Sequence, residues 1–397
     1  MDFTREEMLD ELARSVARFV EAEVLPVIER HEREGRFPHA IIERMGEMGF
    51  FGAAFGEEVG GTGAGFAAVA TIAEEISRLR PEFGYAMNMQ AMTCPFTIYN
   101  WGSDEQVMRF VPDLIAGRRI GMFALSEAGG GSDAAGSMRT TAVRDGGRYL
   151  LNGSKMWITF ADVCDTGLLF AKTDTAAGHR GITAFIVEPK RFPGFRAEPI
   201  PMRGLSKCLR TSAVFLDDFE VPVENRLGEE GEGFKIAMSA LDYGRLTVSA
   251  RLTGLAQACF ERAVAYARER VVGGSPIGRY QLIQQQIADM AVEIDAARLL
   301  TSRTAWLMDQ GRPSRRAAAY GKYFAGSVAR RAAQAMTEIF GGYALADAYP
   351  VSYYNAYITT LCAGEGSPNV QRILIAEDAL GYKDADRHPV KRRLRSS

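Results

Sequence analysis

The chain has 397 residues, with 47 Lys plus Arg against 49 Asp plus Glu and a formal net charge of -2. That length calls for two or three domains; 47% hydrophobic and 24% charged residues are the mix of a globular rather than a disordered chain, and the near-neutral balance speaks against electrostatic attraction to nucleic acid or an anionic membrane. Five scattered cysteines, an odd number with no CxxC, and only 4 histidines speak against a disulfide framework and a metal centre.

The N-terminal stretch MDFTREEMLDELARSVARFV is amphipathic and acidic, so neither a secretory signal nor a transit peptide is expected. No apolar run approaches the roughly 20 residues that span a bilayer, and the cytosol is the expected compartment. Leu9, Leu12, Val16, Phe19 and Val20 recur at helical spacing, as do Ile41, Met45 and Met48, which predicts a helical domain over 1–120. Glycines at 60, 61, 63 and 65 interrupt it before a further helix from Ala67 to Arg78.

From 121 to 230 the pattern changes to short β-rich runs: Met138–Val143, Tyr149–Asn152, Thr166–Lys172, Thr183–Val187 and Ala213–Leu216. Asp145-Gly146-Gly147 and Asn152-Gly153 offer turn chemistry between them. The segment predicts a small antiparallel β-barrel or sandwich. Helical periodicity returns over Phe234–Glu269, Ile283–Gln310 and Ser314–Phe340, with Pro313 at a helix start, so 231–397 reads as a four-helix-type bundle. The expected class is a multi-domain α+β chain: a helical domain, a middle antiparallel barrel and a C-terminal bundle. The basic run Lys391-Arg392-Arg393-Leu394-Arg395 reads as a solvated tail rather than a binding arm.

Three motifs carry chemistry. Phe123 to Asp133 (FALSEAGGGSD) is a glycine-rich turn after an apolar strand, whose N–H groups and Ser126 and Ser132 hydroxyls suit a phosphate or a heterocycle carbonyl. Its spacing is that of neither a P-loop nor a dinucleotide fingerprint, and alone it also reads as a surface loop. Asn152 to Thr159 (NGSKMWIT) places a Trp beside hydroxyl residues, suited to stacking on a planar cofactor or to a buried core. Ala363 to Arg372 (AGEGSPNVQR) sets Glu365 in a Gly/Ser-rich break before a helix, where an acid also serves as a cap.

In this order, the three motifs resemble those of the acyl-CoA dehydrogenase family, read there as T-E-P-x-x-G-S-D, G-x-K-x-W-I-T and E-G-T-x-x-I-Q-R. Glu57 to Gly61 is similar to the family's E-E-Y-G-G, Gln281 to Met290 to Q-x-x-Q-x-x-L-A-D-M, Ile339 to Tyr343 to I-L-G-G-x, and Tyr349-Pro350-Val351 to Y-P-V. The likeness covers nearly the whole chain.

The resemblance implies an FAD-dependent dehydrogenase of acyl thioesters. FAD would lie between the middle domain and the bundle, with Phe123, Leu125 and Ser126 along the flavin. Gly131 and Ser132 would face its phosphates or the substrate's thioester arm. Trp157 and Ile158 would lie against the isoalloxazine, with Thr159 near N5. Arg270, Gln281, Glu338, Gly341 and Gly342 would complete the adenine side of a neighbouring subunit's cofactor, and Ser367 and Asn369 would contact the ADP moiety, which implies a homotetramer or homodimer. Glu365 would take the α-proton while the β-hydride passes to flavin N5, its backbone N–H and a ribityl hydroxyl holding the thioester carbonyl. Burial should raise its pKa.

Some members carry the base on a bundle helix, at a position that is Gly244 here. Asp242, Tyr243 and Arg245 would then hold the carrier arm, with Gly364 and Gly366 lining the acyl site; Asp242 and Arg245 also read as an intrahelical i,i+3 pair. Several family positions differ: Asn355, Ala356 and Tyr357 replace an Arg-Asp stretch, Gly364 an aromatic, Gly273 a Phe and Glu338 a Gln. Arg210 replaces a small residue, where it would offset Glu338 or reach an acidic substrate. Gly364 and Ala356 remove volume, which implies an acyl group bulkier or more polar near Cα–Cβ, unless the change is neutral drift. The expected product is a 2-enoyl thioester and the expected acceptor an electron-transfer flavoprotein. An acyl-carrier-protein thioester is an alternative substrate, and an oxidase, a monooxygenase or a non-catalytic flavin binder an alternative class.

Overall fold

The N-terminal amphipathic repeats fold as α1 (Glu7–Phe19), which runs through a wide π-helical turn (Val20–Val24) into α2 (Leu25–Glu34). The computed structural model describes residues 7–387, so the basic run at Lys391–Arg395 lies outside the described residues. There follow α3 (His39–Glu47), α4 (Phe66–Leu79), a single turn α5 (Gly84–Ala86) that opens into a second π-helical segment (Met87–Thr93), α6 (Pro95–Trp101) and α7 (Asp104–Ile115). Ser103 starts α7 with a reciprocal cap: its Oγ accepts from Gln106 N–H at 3.2 Å and its N–H donates to Gln106 Oε1 at 3.1 Å.

Eight strands follow: β1 (Gly121–Ala124), β2 (Thr141–Asp145), β3 (Arg148–Thr159), β4 (Thr166–Lys172), β5 (Ile182–Val187), β6 (Phe195–Pro199), β7 (Thr211–Pro222) and β8 (Arg226–Leu227). Their order is β6-β7-β3-β2-β4-β5-β8, with β1 parallel to β4. The pairings do not close a barrel and are nearer the sandwich also expected: the antiparallel leaf β6-β7-β3-β2 meets a second leaf, in which β1 runs parallel to β4, at the parallel register pair Thr141↔Lys172. The terminal strands β6 and β8 are not bonded to each other, and a two-residue β8 is too short to close a ring. Side chains from both leaves, among them Tyr149, Leu151, Leu169, Phe185, Val214 and Phe219, share one core.

Asn152-Gly153 is not a turn. β3 continues through it to Thr159, and the register against β7 shifts between Leu151 and Gly153. Gly153 has φ +142°, and a Cβ there would lie 2.8 Å from Thr140 Cα, so the dipeptide makes a bulge rather than a hairpin.

The C-terminal region is α8 (Gly233–Glu269), a small ribbon of β9 (Val271–Val272) and β10 (Ser275–Pro276), α9 (Gln281–Asp309), α10 (Arg315–Phe340), α11 (Val351–Ala363) and α12 (Pro368–Ala379). Central α8 packs on α4, α9 and α10. It crosses α4 closely at Gly254, where a Cβ would sit 2.1 Å from the Glu74 carbonyl oxygen. The largest apolar core joins the N-terminal helices to α8, to Leu168 of β4 and to Leu125 and Phe160 just beyond the ends of β1 and β3. The site below lies where these units meet. Cys94, Cys164, Cys208, Cys259 and Cys362 are all buried and free. No helix among the described residues is long and apolar enough to cross a membrane.

Candidate active site

The break between α11 and α12 holds Glu365. α11 ends at Ala363, and α12 starts at Pro368 with Ser367 Oγ accepting from Val370 N–H at 3.4 Å. Between them Glu365 takes φ +53° and Gly366 φ +89°. Left-handed backbone costs a non-glycine residue about 1 kcal/mol or more, so the surroundings must hold it. Lys322 of α10 does so. Its Nζ donates to both the Gly364 and Gly366 carbonyls, straddling Glu365. Lys322 is itself buried, which lowers its pKa to about 7 against the opposing pull of Glu365.

Part of Glu365 reaches solvent, but Oε2 is sealed and makes no hydrogen bond among the described residues. Oε1 accepts from Asn88 Nδ2, and Asn88 Oδ1 accepts from Thr247 Oγ1 of α8 at 2.7 Å. Asn88 lies in the π-helical segment Met87–Thr93, a distortion that often accompanies function. A Cβ at Gly244 would lie 2.2 Å from Oε2, so the carboxylate occupies the space a side chain there would need. Burial raises the Glu365 pKa, opposed by the Asn88 hydrogen bond and by Lys322, Arg251 and Arg245. A sealed, unpartnered carboxylate oxygen with a raised pKa is equipped to take a proton.

The glycine-rich loop is anchored from below. Lys155 of β3 is fully buried and donates to Glu127 Oε1 at 2.8 Å and to the Leu125 carbonyl at 3.2 Å. Glu127 also accepts from Arg139 N–H, Thr140 N–H and Thr140 Oγ1. Burial pushes the Lys155 pKa down to about 8 while Glu127 opposes the shift. Burial would raise Glu127, yet Lys155 and these donors hold it below the usual carboxylate value. The pair ties two of the motifs together.

Above it, β3 breaks register against β7 between Lys155 and Ile158, and Trp157 adopts φ +65° with 57% of its surface exposed. The Ile158 side chain turns into the sheet core, and Thr159 Oγ1 lies 3.4 Å from Thr211 Oγ1. Leu125 is buried, and the half-buried Phe123 packs on Phe170 at 5.0 Å. Trp157 borders a cavity of about 420 Å³ with Met202, Leu205, Asn355, Ala356 and Thr360. A Cβ at Gly129 or Gly131 would meet nothing, and Ser132 is exposed. An exposed indole, hydroxyls at 126 and 159 and an open glycine edge fit a planar heterocycle with a diphosphate tail.

A different cavity of about 680 Å³ is lined by Arg270, Tyr280, Phe340, Gly341 and Gly342, with the Arg270 guanidinium 5.3 Å from the Tyr343 ring. Gln281 begins α9 beside it, and Glu338 accepts from Gln286 at 2.6 Å and Gln334 at 2.9 Å, so its charge is met by two amides. Of the expected cofactor residues, Trp157 lines the first cavity and Arg270, Gly341 and Gly342 line the second. Near the second, Val271, Tyr280, Leu282, Tyr343 and Leu345 expose apolar surface. Ser367 caps α12, and Asn369 Oδ1 accepts from Arg372 at 2.8 Å.

The residues expected at the carrier arm also have contacts within the fold. Asp242 and Arg245 form the i,i+3 pair at 2.7 Å, and Arg315 approaches the same carboxylate at 3.4 Å. The Tyr243 ring lies among core aromatics, 4.7 Å from Phe96 and 5.6 Å from Phe66. The roles expected of Arg210 are corrected: it donates to Asp162 at 2.8 Å and to the Gly35 and Lys207 carbonyls, a tie to the N-terminal helices. Sequence reasoning missed Asn88, Thr247, Lys322, Arg251 and the Glu127–Lys155 pair. For Lys322 a signal existed: it occupies the buried stripe Ala318, Lys322, Ala325, Ala329, where a charge needs a reason.

Three family models cover the chain in order: acyl-CoA dehydrogenase, N-terminal domain over residues 6–118, middle domain over 122–219 and C-terminal domain over 231–380. The chain belongs to the acyl-CoA dehydrogenase family. It is 38% identical to a glutaryl-CoA dehydrogenase of Desulfococcus multivorans, across 98% of this chain and 100% of that one. It is 36% identical to the caffeyl-CoA reductase-Etf complex subunit CarC of Acetobacterium woodii, across 92% and 97%. The structure of a glutaryl-coenzyme A dehydrogenase in complex with glutaryl-CoA superimposes with TM-score 0.94 at 37% identity, covering 99% of this chain and 100% of the other. Acyl-CoA dehydrogenases are FAD-dependent oxidoreductases acting on CH–CH bonds, and this member is one of them.

Proposed function

We propose that the enzyme removes the α- and β-hydrogens of an acyl thioester to give the 2-enoyl thioester, with Glu365 as the α-proton base. The observation that carries this is the sealed Oε2, without a partner among the described residues and set against Gly244. Asn88 holds the other oxygen, and Lys322 holds the loop. The Glu365 backbone N–H makes no hydrogen bond among the described residues and is free for the thioester carbonyl, where negative charge grows as the proton leaves. Ser126, Trp157, Thr159 and the Gly131–Ser132 edge would hold FAD, which when bound would supply the acceptor of the β-hydrogen as hydride. An electron-transfer flavoprotein is the proposed acceptor, supported by the relative named as part of an Etf complex. A homotetramer or homodimer is supported by the placing of Arg270, Gly341 and Gly342 at a cavity other than that of Trp157, and by the apolar surface beside it. The proposed compartment is the cytosol.

The base must be deprotonated, so kcat/KM rises with pH through the raised Glu365 pKa. The Asn88 hydrogen bond lowers that pKa. Asn88→Ala therefore moves the acid limb of the pH–kcat/KM profile to higher pH, with a loss of roughly 10-fold on that limb. An unmoved limb would remove Asn88 from the base's environment.

The test is an anaerobic titration with acyl-CoA and acyl-carrier-protein thioesters, following loss of oxidised flavin absorbance in wild type and Glu365→Gln. Bleaching by one substrate class in wild type alone supports reaction and base together. No bleaching by any thioester sinks the dehydrogenase reading, and fast reoxidation in air with peroxide release reassigns the enzyme as an oxidase.

A further inference from the structure

Lys322 reaches the break between α11 and α12 from α10; it is 3% exposed, and its ammonium sits on two carbonyls, those of Gly364 and Gly366. The two contacts are unequal. The Gly366 carbonyl has a second donor, the buried Gln371 Nε2 at 3.1 Å. The Gly364 carbonyl has no other donor among the described residues. Gly364 ends the ladder of α11: its N–H still donates to the Thr360 carbonyl at 3.1 Å, while its own carbonyl lies beyond the helix. The contact that Lys322 alone supplies is therefore the one to Gly364.

That carbonyl and the Glu365 N–H belong to one peptide unit. The described chain has no cis peptide bond, and in a planar trans unit the C=O and N–H point in opposite directions. Fixing the Gly364 oxygen on Lys322 turns the Glu365 N–H to the side away from α10. The N–H has no partner among the described residues, Gly364 is exposed, and a Cβ added to it would meet only the Thr360 carbonyl, at 3.7 Å. One end of this peptide is sealed on a buried cation, and the other is left for a ligand. A cation on the carbonyl also draws electron density from the amide and strengthens its N–H as a donor.

We propose that Lys322 is a positioning residue that aims and polarises the Glu365 N–H, so that the thioester carbonyl is held more tightly as negative charge develops on it. The inference rests on the reading of that N–H as the donor to the thioester oxygen. Lysines also cap helix ends as a structural device, and a cap of that kind acts on stability alone.

The test saturates holoenzyme carrying Glu365→Gln, which keeps the backbone N–H and does not consume the ligand, with butyryl-CoA isotope-labelled at its carbonyl carbon. Infrared difference spectra read the carbonyl stretch, which should lie below its frequency in water. Adding Lys322→Met should return the band toward the water value, and Lys322→Arg, which keeps a cation, should retain part of the shift. With Glu365 intact, Lys322→Met should lower kcat about 30-fold and change KM less than about 3-fold, a smaller loss than deleting an oxyanion donor because the N–H itself remains. A band that Lys322→Met leaves in place, or a loss confined to KM or melting temperature, overturns the proposal. If Lys322→Met does not retain FAD, Lys322→Gln is read in the same way. A band no lower than in water in Glu365→Gln overturns it without any Lys322 variant. If wild type bleaches with no thioester, the dehydrogenase reading fails, and the carbonyl band still decides the role of Lys322.

Discussion

Glu365→Gln is expected to lower kcat/KM by about 10³-fold, or roughly 4 kcal/mol of transition-state stabilisation, in the middle of the range for a lost general base. Glutamine keeps the volume, and its amide oxygen still accepts from Asn88, so FAD content and thioester Kd should change little. The fold itself should respond with the opposite sign. The folded-state pKa of Glu365 is raised above its ordinary value of 4.5. Its stabilising contribution is thus present below the unfolded pKa and is lost as pH rises through the folded one. At pH 8 the buried charge burdens the native state. Glu365→Gln should therefore melt higher than wild type at pH 8, and the difference should shrink toward pH 4. A variant that loses activity and stability together at pH 8 would contradict this account. Because a Gly244 side chain would enter the space of Oε2, the pair Glu365→Ala with Gly244→Glu should recover part of the rate that Glu365→Ala alone loses.

Lys155→Met is expected to destabilise the protein by about 3–5 kcal/mol, the usual penalty for stranding one member of a buried ion pair. The stranded group is Glu127, which is 8% exposed and anchors the glycine-rich loop through Arg139 and Thr140. The melting temperature should fall by roughly 5 °C, and FAD retention should fall with it. Removing both charges with Glu127→Gln and Lys155→Met should recover much of the loss. If the double variant is no better than Lys155→Met alone, the interaction is not what holds the loop. Differential scanning calorimetry and flavin-to-protein absorbance ratios read both quantities.

What the sequence revealed follows from the range of its signals. A long run of helix-forming residues without Pro marks α8, which is buried on most sides, and the long helices lie within a few residues of where the sequence placed them. β6 and β8 were invisible because five and two residues carry too little alternation. Asn152-Gly153 misled because the same dipeptide serves a hairpin turn and a bulge, and only the partner strand decides between them. The Glu365 loop was legible as a carboxylate in a helix break. Its support was not, since Asn88 lies 277 positions away from it and Lys322 reaches it from another helix. Glu127 and Lys155 each stood in a motif, but nothing local says that they face each other. Arg251 and Lys322 share the signal to look for: a charge at a core position of an apolar stripe, which marks a partner elsewhere or a ligand.

The five buried thiols make the chain its own stopwatch. Cys94 sits in the N-terminal helices, Cys164 and Cys208 in the middle region, and Cys259 and Cys362 in the helices beyond. Burial pushes Cys94, Cys208 and Cys259 up to about 12, so a folded thiol is both shielded and protonated. A maleimide added to the native protein can then react only as fast as each region opens. Mapping labelled cysteines against time would rank the three regions by opening rate, with no tag or engineered probe.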